Sequence, residues 1–267
     1  MQAAPPPLLA LLTDFGTRDW YVAMLKAVIL SRCPTTRLVD ITHEIPPQDI
    51  TAGAFTLAAA APWFPAGTVF LAVVDPGVGS DRAVLAARAD GRYFVGPDNG
   101  LLGLCLQRAK RLTVIRLTKR RYWLRQVSQT FQGRDVMAPV AAHLASGGSL
   151  NALGGLMRRA TPLELPPLQR KGTRLIGHIA HIDTYGNLIT TLPGTLASVA
   201  KSAAPTVLQY KRQASRMVSS YAQGRPNELI AVVGSLGFIE LAVRNGSAAW
   251  MLSARRGDEV WLTRERP

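Results

Sequence analysis

The chain is 267 residues long, 48% hydrophobic and 18% charged, with a formal net charge of +14 at pH 7. That composition describes a folded globular protein of one large or two small domains and excludes a disordered or low-complexity chain. No apolar run reaches the roughly 18 residues of a membrane span, and the two cysteines, Cys33 and Cys105, provide neither a disulfide framework nor metal-ligand spacing.

The opening MQAAPPPLLALLTDFG has no basic region ahead of its apolar run, so no signal peptide is expected, and reduced thiols in a cytoplasmic protein are. LLALLTDFG then brings an apolar strand directly to Asp14 in a turn. The same device recurs in TVFLAVVDPGVG with Asp75 and in RYFVGPDNG with Asp98. Uninterrupted apolar runs of this kind read as buried parallel strands stopped by Gly or Pro. In open α/β sheets ligands sit beyond the carboxyl ends of the strands, so acids placed there point to a small-molecule site.

Between these strands the pattern is helical. TRDWYVAMLKAVILSRCP carries Tyr21, Leu25, Val28 and Ile29 at helical spacing, with Pro34 beyond its end. TRLVDITHEIPP reads as a strand entering a proline turn. DITAGAFTLAAAAPWF reads as a helix with Asp49 at its start, DNGLLGLCLQRAK as another, and GRDVMAPVAAHLASGG as one more closed by Gly147 and Gly148. This alternation predicts an α/β N-terminal domain over 1–165, a mixed sheet with flanking helices.

TVIRLTKRRYWL reads as strand, turn, strand. Between Gly100 and Gly133 there is no acid, while Arg108, Lys110, Arg111, Arg116, Lys119, Arg120, Arg121 and Arg125 all fall there. A solvated or subunit-facing basic surface is the expectation, with polyanion binding as the alternative. Without a nucleic-acid motif, nucleic acid is not an expected partner.

TPLELPPLQRKG, from Thr161 to Gly172, is proline-rich and aperiodic, a candidate linker. Beyond it short alternating runs between Gly and Asn turns predict an all-β domain over 172–267, a small barrel or sandwich, with KSAAPTVLQYKRQASRMVSSYAQGRPNE ambiguous.

Several groups could carry chemistry. Asp75 and Arg82 flank the turn DPGVGSDR, whose glycines let carboxylate and guanidinium face one pocket and fix a water between them. A purely structural turn with an ion pair is the alternative. QTFQGRDVMAP places Thr130, Phe131 and Gln132 on a loop, followed by Arg134 and Asp135 as a loop-fixing pair. In IDTYGNLIT, Asp183 and Asn187 flank a hairpin turn and read first as turn chemistry. The four histidines have no chelating spacing, so no metal site is expected. P-loop, GxGxxG and GxSxG motifs are absent.

Seven ordered segments, LLTDFGTRDWYVAMLKAVI, VDITHEIPPQDI, VVDPGVGSDR, GPDNGLL, TFQGRDVMAPVAAHLA, HIDTYGNLITTL and GSLGFIELAVRNGSA, together resemble the S-adenosylmethionine hydroxide adenosyltransferase family, which is related to the fluorinating and chlorinating adenosyltransferases. The resemblance runs nearly end to end. It implies a C-terminal β-barrel, a homotrimer with sites between one subunit's N-terminal domain and a neighbour's C-terminal domain, and S-adenosylmethionine as substrate with no cofactor. It implies further that Asp14 holds the ribose hydroxyls and that Asp19 and Asp183 are candidates for the methionine ammonium. Asn187 and the Arg244-Asn245-Gly246 turn would read the adenine edge. Asp75 and Arg82 match two members of an Asp-Arg-His set for hydroxide transfer; the histidine position holds Gln132.

The implied reaction is hydrolysis to adenosine and L-methionine. The sulfonium makes methionine a neutral leaving group, so alignment and water exclusion carry the catalysis. A carboxylate at Asp75 repels halide and accepts a hydrogen bond from water, which disfavours halide transfer. An adenosyl-binding protein that has lost turnover through Gln132 is the remaining alternative, because an amide positions a water without taking its proton.

Overall fold

A computed structural model describes residues 7–198 and 206–264. The Met1–Pro6 stretch, part of the opening on which the signal-peptide expectation rests, lies outside the described residues, as do 199–205 of the ambiguous segment. The chain forms two compact units that divide after Leu163.

The first unit runs β1 (Leu8–Thr13), α1 (Tyr21–Arg32), β2 (Arg37–Thr42), α2 (Ile50–Ala60), β3 (Val69–Val73), β4 (Val84–Ala89), β5 (Arg92–Pro97), α3 (Gly103–Gln107), β6 (Leu112–Leu117), α4 (Ala138–Ala145) and β7 (Gly154–Met157). Its seven-stranded sheet has the order β2-β1-β3-β5-β4-β6-β7. β2, β1, β3 and β5 are parallel, whereas β4, β6 and β7 add antiparallel, so the sheet is mixed. β3 is apolar throughout, and β1 up to its last residue, Thr13, because both sheet faces are covered. Leu25 and Ile29 of α1 and Val140 and Ala141 of α4 pack on one face, and Leu57 of α2 and Leu106 of α3 on the other. Full burial of a side chain such as Leu25 or Ile29 contributes about 1.5–3 kcal/mol.

Local chemistry sets the helix ends. Asp49 caps α2 by accepting from the Ala52 N–H at 2.8 Å. A single wide turn, Gly133–Met137, precedes α4. Pro139 has no N–H to donate to the carbonyl of Asp135, and that carbonyl accepts instead from the Leu124 N–H at 2.8 Å. GRDVMAPVAAHLA is therefore not one uniform helix.

Two expectations are corrected. The second strand expected in TVIRLTKRRYWL does not form: Arg120–Tyr122 is a single 3₁₀ turn, and β6 pairs with the distant β7. The alanine-rich VLAARA, not anticipated as a strand, is β4, at the switch from parallel to antiparallel pairing.

The second unit runs β8 (Gln169–Lys171), β9 (Arg174–Ile182), β10 (Leu188–Pro193), α5 (Thr195–Ser198), β11 (Thr206–Tyr210), β12 (Gln213–Val218), β13 (Leu229–Val233), β14 (Phe238–Val243), α6 (Ala248–Leu252) and β15 (Glu259–Arg264). Seven strands close in the order β9-β10-β14-β13-β12-β11-β15, with β15 returning to β9 and β8 attached outside the ring. The unit is a barrel, and closure removes the exposed edges that a sandwich would leave. Ile179, Leu188, Leu208, Leu241 and Val260 fill it. Residues 161–168 of the candidate linker carry no regular element, and 169–171 form β8.

Candidate active site

β1 and β3 are neighbours at the point where the sheet order reverses, β2 lying on one side and β5 on the other. The crevice beyond their carboxyl ends is where open α/β sheets bind ligands. A cavity of about 570 Å³ sits there, its wall including Asp14, Gln48, Asp75 and Gln132.

Asp14 follows β1 directly. Its Oδ2 accepts from the Gln48 N–H at 2.8 Å. Burial pushes its carboxyl above the ordinary 3.8; the Gln48 bond opposes the shift and the Asp75 charge adds to it. Gln48 reaches this position in the left-handed region, at φ 65°, a conformation that costs a non-glycine residue about 1–2 kcal/mol. Behind β1, the buried Thr13 hydroxyl pairs with His43 Nδ1 at 2.8 Å, which anchors the end of the strand.

Asp75 enters a turn stabilised by bonds from Val78 N–H to the Asp75 carbonyl and from Ser80 N–H to the Gly77 carbonyl. The turn brings back Arg82, whose Nε donates to Asp75 Oδ1 at 2.6 Å and whose Nη2 donates to Asp75 Oδ2. Nη2 also donates to Gln132 Oε1 at 2.8 Å. The side chains of Arg82 and Asp75 are only 9% and 5% exposed, and Arg82 Nη1 is buried with no partner among the described residues. The pair is thus in direct bidentate contact rather than spaced around a water. Any water must use the outer lone pairs of the carboxylate. Ser80 is committed to its own turn, its hydroxyl donating to the Gly77 carbonyl at 2.7 Å.

The loop after this turn is tied to it. Gly79 has φ +83°, and a Cβ there would come within 2.7 Å of the Gln129 carbonyl oxygen. Thr130 is exposed, its N–H and hydroxyl meeting Ser128 Oγ. Phe131 packs edge-on against Phe15 and Tyr21, with ring centroids 5.8 and 5.4 Å apart, forming an aromatic side of the cavity. Asp135, fully buried, takes Arg134 and the Ser128 N–H, so this pair does fix the loop. Asp19 is exposed and does not line the cavity. Nor does Asp98, whose carboxylate accepts from the Thr161 N–H at 2.6 Å.

The barrel unit has its own cavity, of about 660 Å³, where Asp183, Asn187, Arg244, Asn245 and Gly246 come together with Tyr185 and Tyr221. Asp183 Oδ1 accepts from the N–H groups of Tyr185 and Asn187, and Oδ2 from Asn187 Nδ2 at 2.9 Å. Gly186 turns the hairpin at φ +80°, where a Cβ would meet Ser247 Oγ at 1.9 Å. Arg244 Nη1 donates to the Gly224 carbonyl at 2.8 Å, and Asn245 is left-handed at φ 60°.

Phe15, Gln48 and Tyr221 line these cavities without having been singled out from the sequence, and Tyr21, read there only as a helix-face residue, lines the first. Only the aromatic residues near Asp14 carried a readable signal. The exposed Lys119, Arg120 and Arg121 lie on the turn after β6, Arg121 over the Tyr122 ring at 5.0 Å.

An α/β unit with an acid–guanidinium pair at its switch point, followed by a barrel with a polar and aromatic cavity, defines a two-unit protein shaped for a small, partly polar ligand. Residues 9–154 match the N-terminal domain and residues 177–261 the C-terminal domain of SAM hydroxide adenosyltransferases. The chain belongs to that family. It is 39% identical to a protein of Salinispora tropica named (R)-S-adenosyl-L-methionine hydrolase, across 97% of this chain and 99% of the relative. It is 38% identical to a protein of that name from Thermus thermophilus, across 94% and 97%. A fluorinase of an Actinoplanes species is 27% identical across 99% and 100%. A crystal structure of an uncharacterized conserved protein from Thermotoga maritima superposes with TM-score 0.86 at 33% identity, covering 96% of this chain and all of the other.

Proposed function

We propose that this chain hydrolyses S-adenosylmethionine to adenosine and L-methionine, water attacking the ribose 5′ carbon in line with the departing sulfur. The observation that carries the reading is the fork of Arg82, joined to Asp75 and Gln132 beside the cavity. The relatives named (R)-S-adenosyl-L-methionine hydrolase, 31–39% identical over nearly their whole lengths, support it.

In this scheme the C5′–S bond breaks as the C5′–O bond forms, and the electron pair leaves on neutral methionine. Each Asp75 oxygen already accepts from Arg82 and keeps a second lone pair for the attacking water, whose proton passes to the carboxylate and then to solvent. Arg82 does not itself line the cavity; it acts from behind, holding Asp75 and Gln132 in place for the attacking water. Gln132 has its carbonyl oxygen engaged by Arg82, so its amide N–H₂ orients the water without deprotonating it. No cofactor takes part.

Asp14 takes the ribose hydroxyls, and the barrel cavity, with Asn187, Arg244, Asn245 and Gly246, takes the adenine edge. Asp183 is spent on its own turn, which favours an indirect role through Asn187 over contact with the ammonium; Asp19 is left as the candidate for that group. Exposed Trp20 and Trp250 favour self-association, for which this reading takes the homotrimer that the family resemblance implies, and free Cys33 and Cys105 favour a reducing, cytoplasmic setting.

The test is product analysis by chromatography and mass spectrometry after incubation with S-adenosylmethionine without halide. Equal amounts of adenosine and methionine are expected. No product above a heat-denatured control would overturn the proposal, and ligand retained without turnover would replace it with the binding-protein reading.

A further inference from the structure

Glu240 is a buried carboxylate outside the catalytic pair. It lies on β14 between Ile239 and Leu241, which point into the barrel core, so its own side chain points out of the core, and it is only 6% exposed. A carboxylate in such a place costs free energy unless it is bonded, and this one accepts the Tyr221 hydroxyl. Gly234 makes the space: a Cβ at that position would come within 2.3 Å of Glu240 Oε2.

Tyr221 is part of the wall of the barrel cavity, beside Asn187 and Arg244. The turn that carries it, Tyr221–Gln223, is held by its carbonyls as well. Arg216 Nη2 donates to the Gln223 carbonyl at 2.5 Å, and Arg244 Nη1 reaches the Ala222 and Gly224 carbonyls. These bonds fix the backbone of the turn; the bond to Glu240 ties down the hydroxyl end of the Tyr221 ring.

We infer that Glu240 is a positioning residue that locks the Tyr221 ring as the aromatic wall of the barrel cavity and so sets affinity for the planar base of the substrate. The inference rests on the adenosyl reading of that cavity. A preset ring offers its face to a base without losing rotamer freedom on binding. Aromatic contacts of this kind are worth about 0.5–1.5 kcal/mol, so releasing the ring weakens binding roughly two- to tenfold.

The experiment measures adenosine affinity by calorimetry, and KM and kcat for S-adenosylmethionine, in the wild type, Glu240→Leu, Glu240→Gln, Tyr221→Phe and the Glu240→Leu/Tyr221→Phe double variant. Glu240→Leu is expected to raise KM and the adenosine Kd roughly two- to tenfold, with kcat changing less than KM. Glu240→Gln, which keeps an acceptor, stays near wild type, and the double variant is no worse than Glu240→Leu alone. A folded Glu240→Leu protein with unchanged Kd, or a Gln variant as impaired as the Leu one, overturns the inference. If Glu240→Leu does not fold, Tyr221→Phe decides, and an unchanged Kd refutes the idea. Failure of the wild type to bind adenosine or S-adenosylmethionine would instead overturn the reading of the cavity, and the inference with it.

Discussion

Arg82 bonds Gln132 across fifty residues of chain, Nη2 to Oε1 at 2.8 Å, while holding Asp75 with the same guanidinium. The bond fixes which end of the Gln132 amide faces the cavity. With its oxygen turned to Arg82, Gln132 presents its N–H₂ to a water, and an amide takes no proton, so among these three joined side chains Asp75 is the proton acceptor.

Asp75→Asn should therefore remove the proton acceptor that the Arg82 fork holds in place. General-base assistance is worth about 10²–10⁴-fold, and kcat is expected to fall within that range. The amide keeps one acceptor for Arg82, but the buried guanidinium loses its counter-charge, so thermal stability drops as well. Steady-state kinetics with a melting curve read both effects, and an unchanged kcat would remove Asp75 from the mechanism.

Gln132→His puts a titratable acceptor at the position now held by the amide. We expect kcat to rise and to acquire an inflection near the ordinary imidazole pKa of about 6.5, activity being higher on the alkaline side. A pH–rate profile of the variant against the wild type shows whether the inflection exists.

Asp14 gives a second pH dependence of known sign. Burial holds its carboxyl above 3.8, and ribose hydroxyls donate best to the ionised form. KM should be flat at neutral pH and rise as pH falls through this raised value, at a higher pH than an ordinary aspartate would give. Stability runs the other way. The folded chain binds this proton more tightly than the unfolded chain, so the contribution is full below the unfolded value and is lost as pH rises through the folded one. Asp14→Asn should abolish the KM inflection and leave the ligand-free protein no less stable at pH 7, checked by kinetics and denaturant titration.

Gly79→Ala should disturb catalysis without touching a reacting group. It forces a left-handed residue, costing about 1–3 kcal/mol, and pushes the Gln129 carbonyl away, shifting the loop that carries Gln132. Lower kcat with near-normal adenosine binding is expected, read by kinetics and calorimetry.

The sequence made the parallel core legible because β1, β3 and β5 are apolar runs ending at turn aspartates, and α1 and α2 have clear periods or caps. It hid β4 because VLAARA has neither β-branched bulk nor clean alternation, and its place depends on pairing with β5 and β6. YWLR looked like a strand, yet the Leu124 N–H is claimed by the carbonyl that Pro139 frees. At the site, Asp75, Arg82 and Gln132 were legible as types at suggestive spacings. The direct fork between them was not, since side-chain geometry has no sequence signature. Gln48 was invisible for a similar reason, its role resting on a positive φ that no glycine announces.

The most direct test of the central claim is to run the reaction in water enriched in heavy oxygen and weigh the adenosine. Attack of a water held by Asp75 on the 5′ carbon places one heavy oxygen in adenosine and none in methionine. Adenosine formed at the enzymatic rate but carrying no label would contradict it.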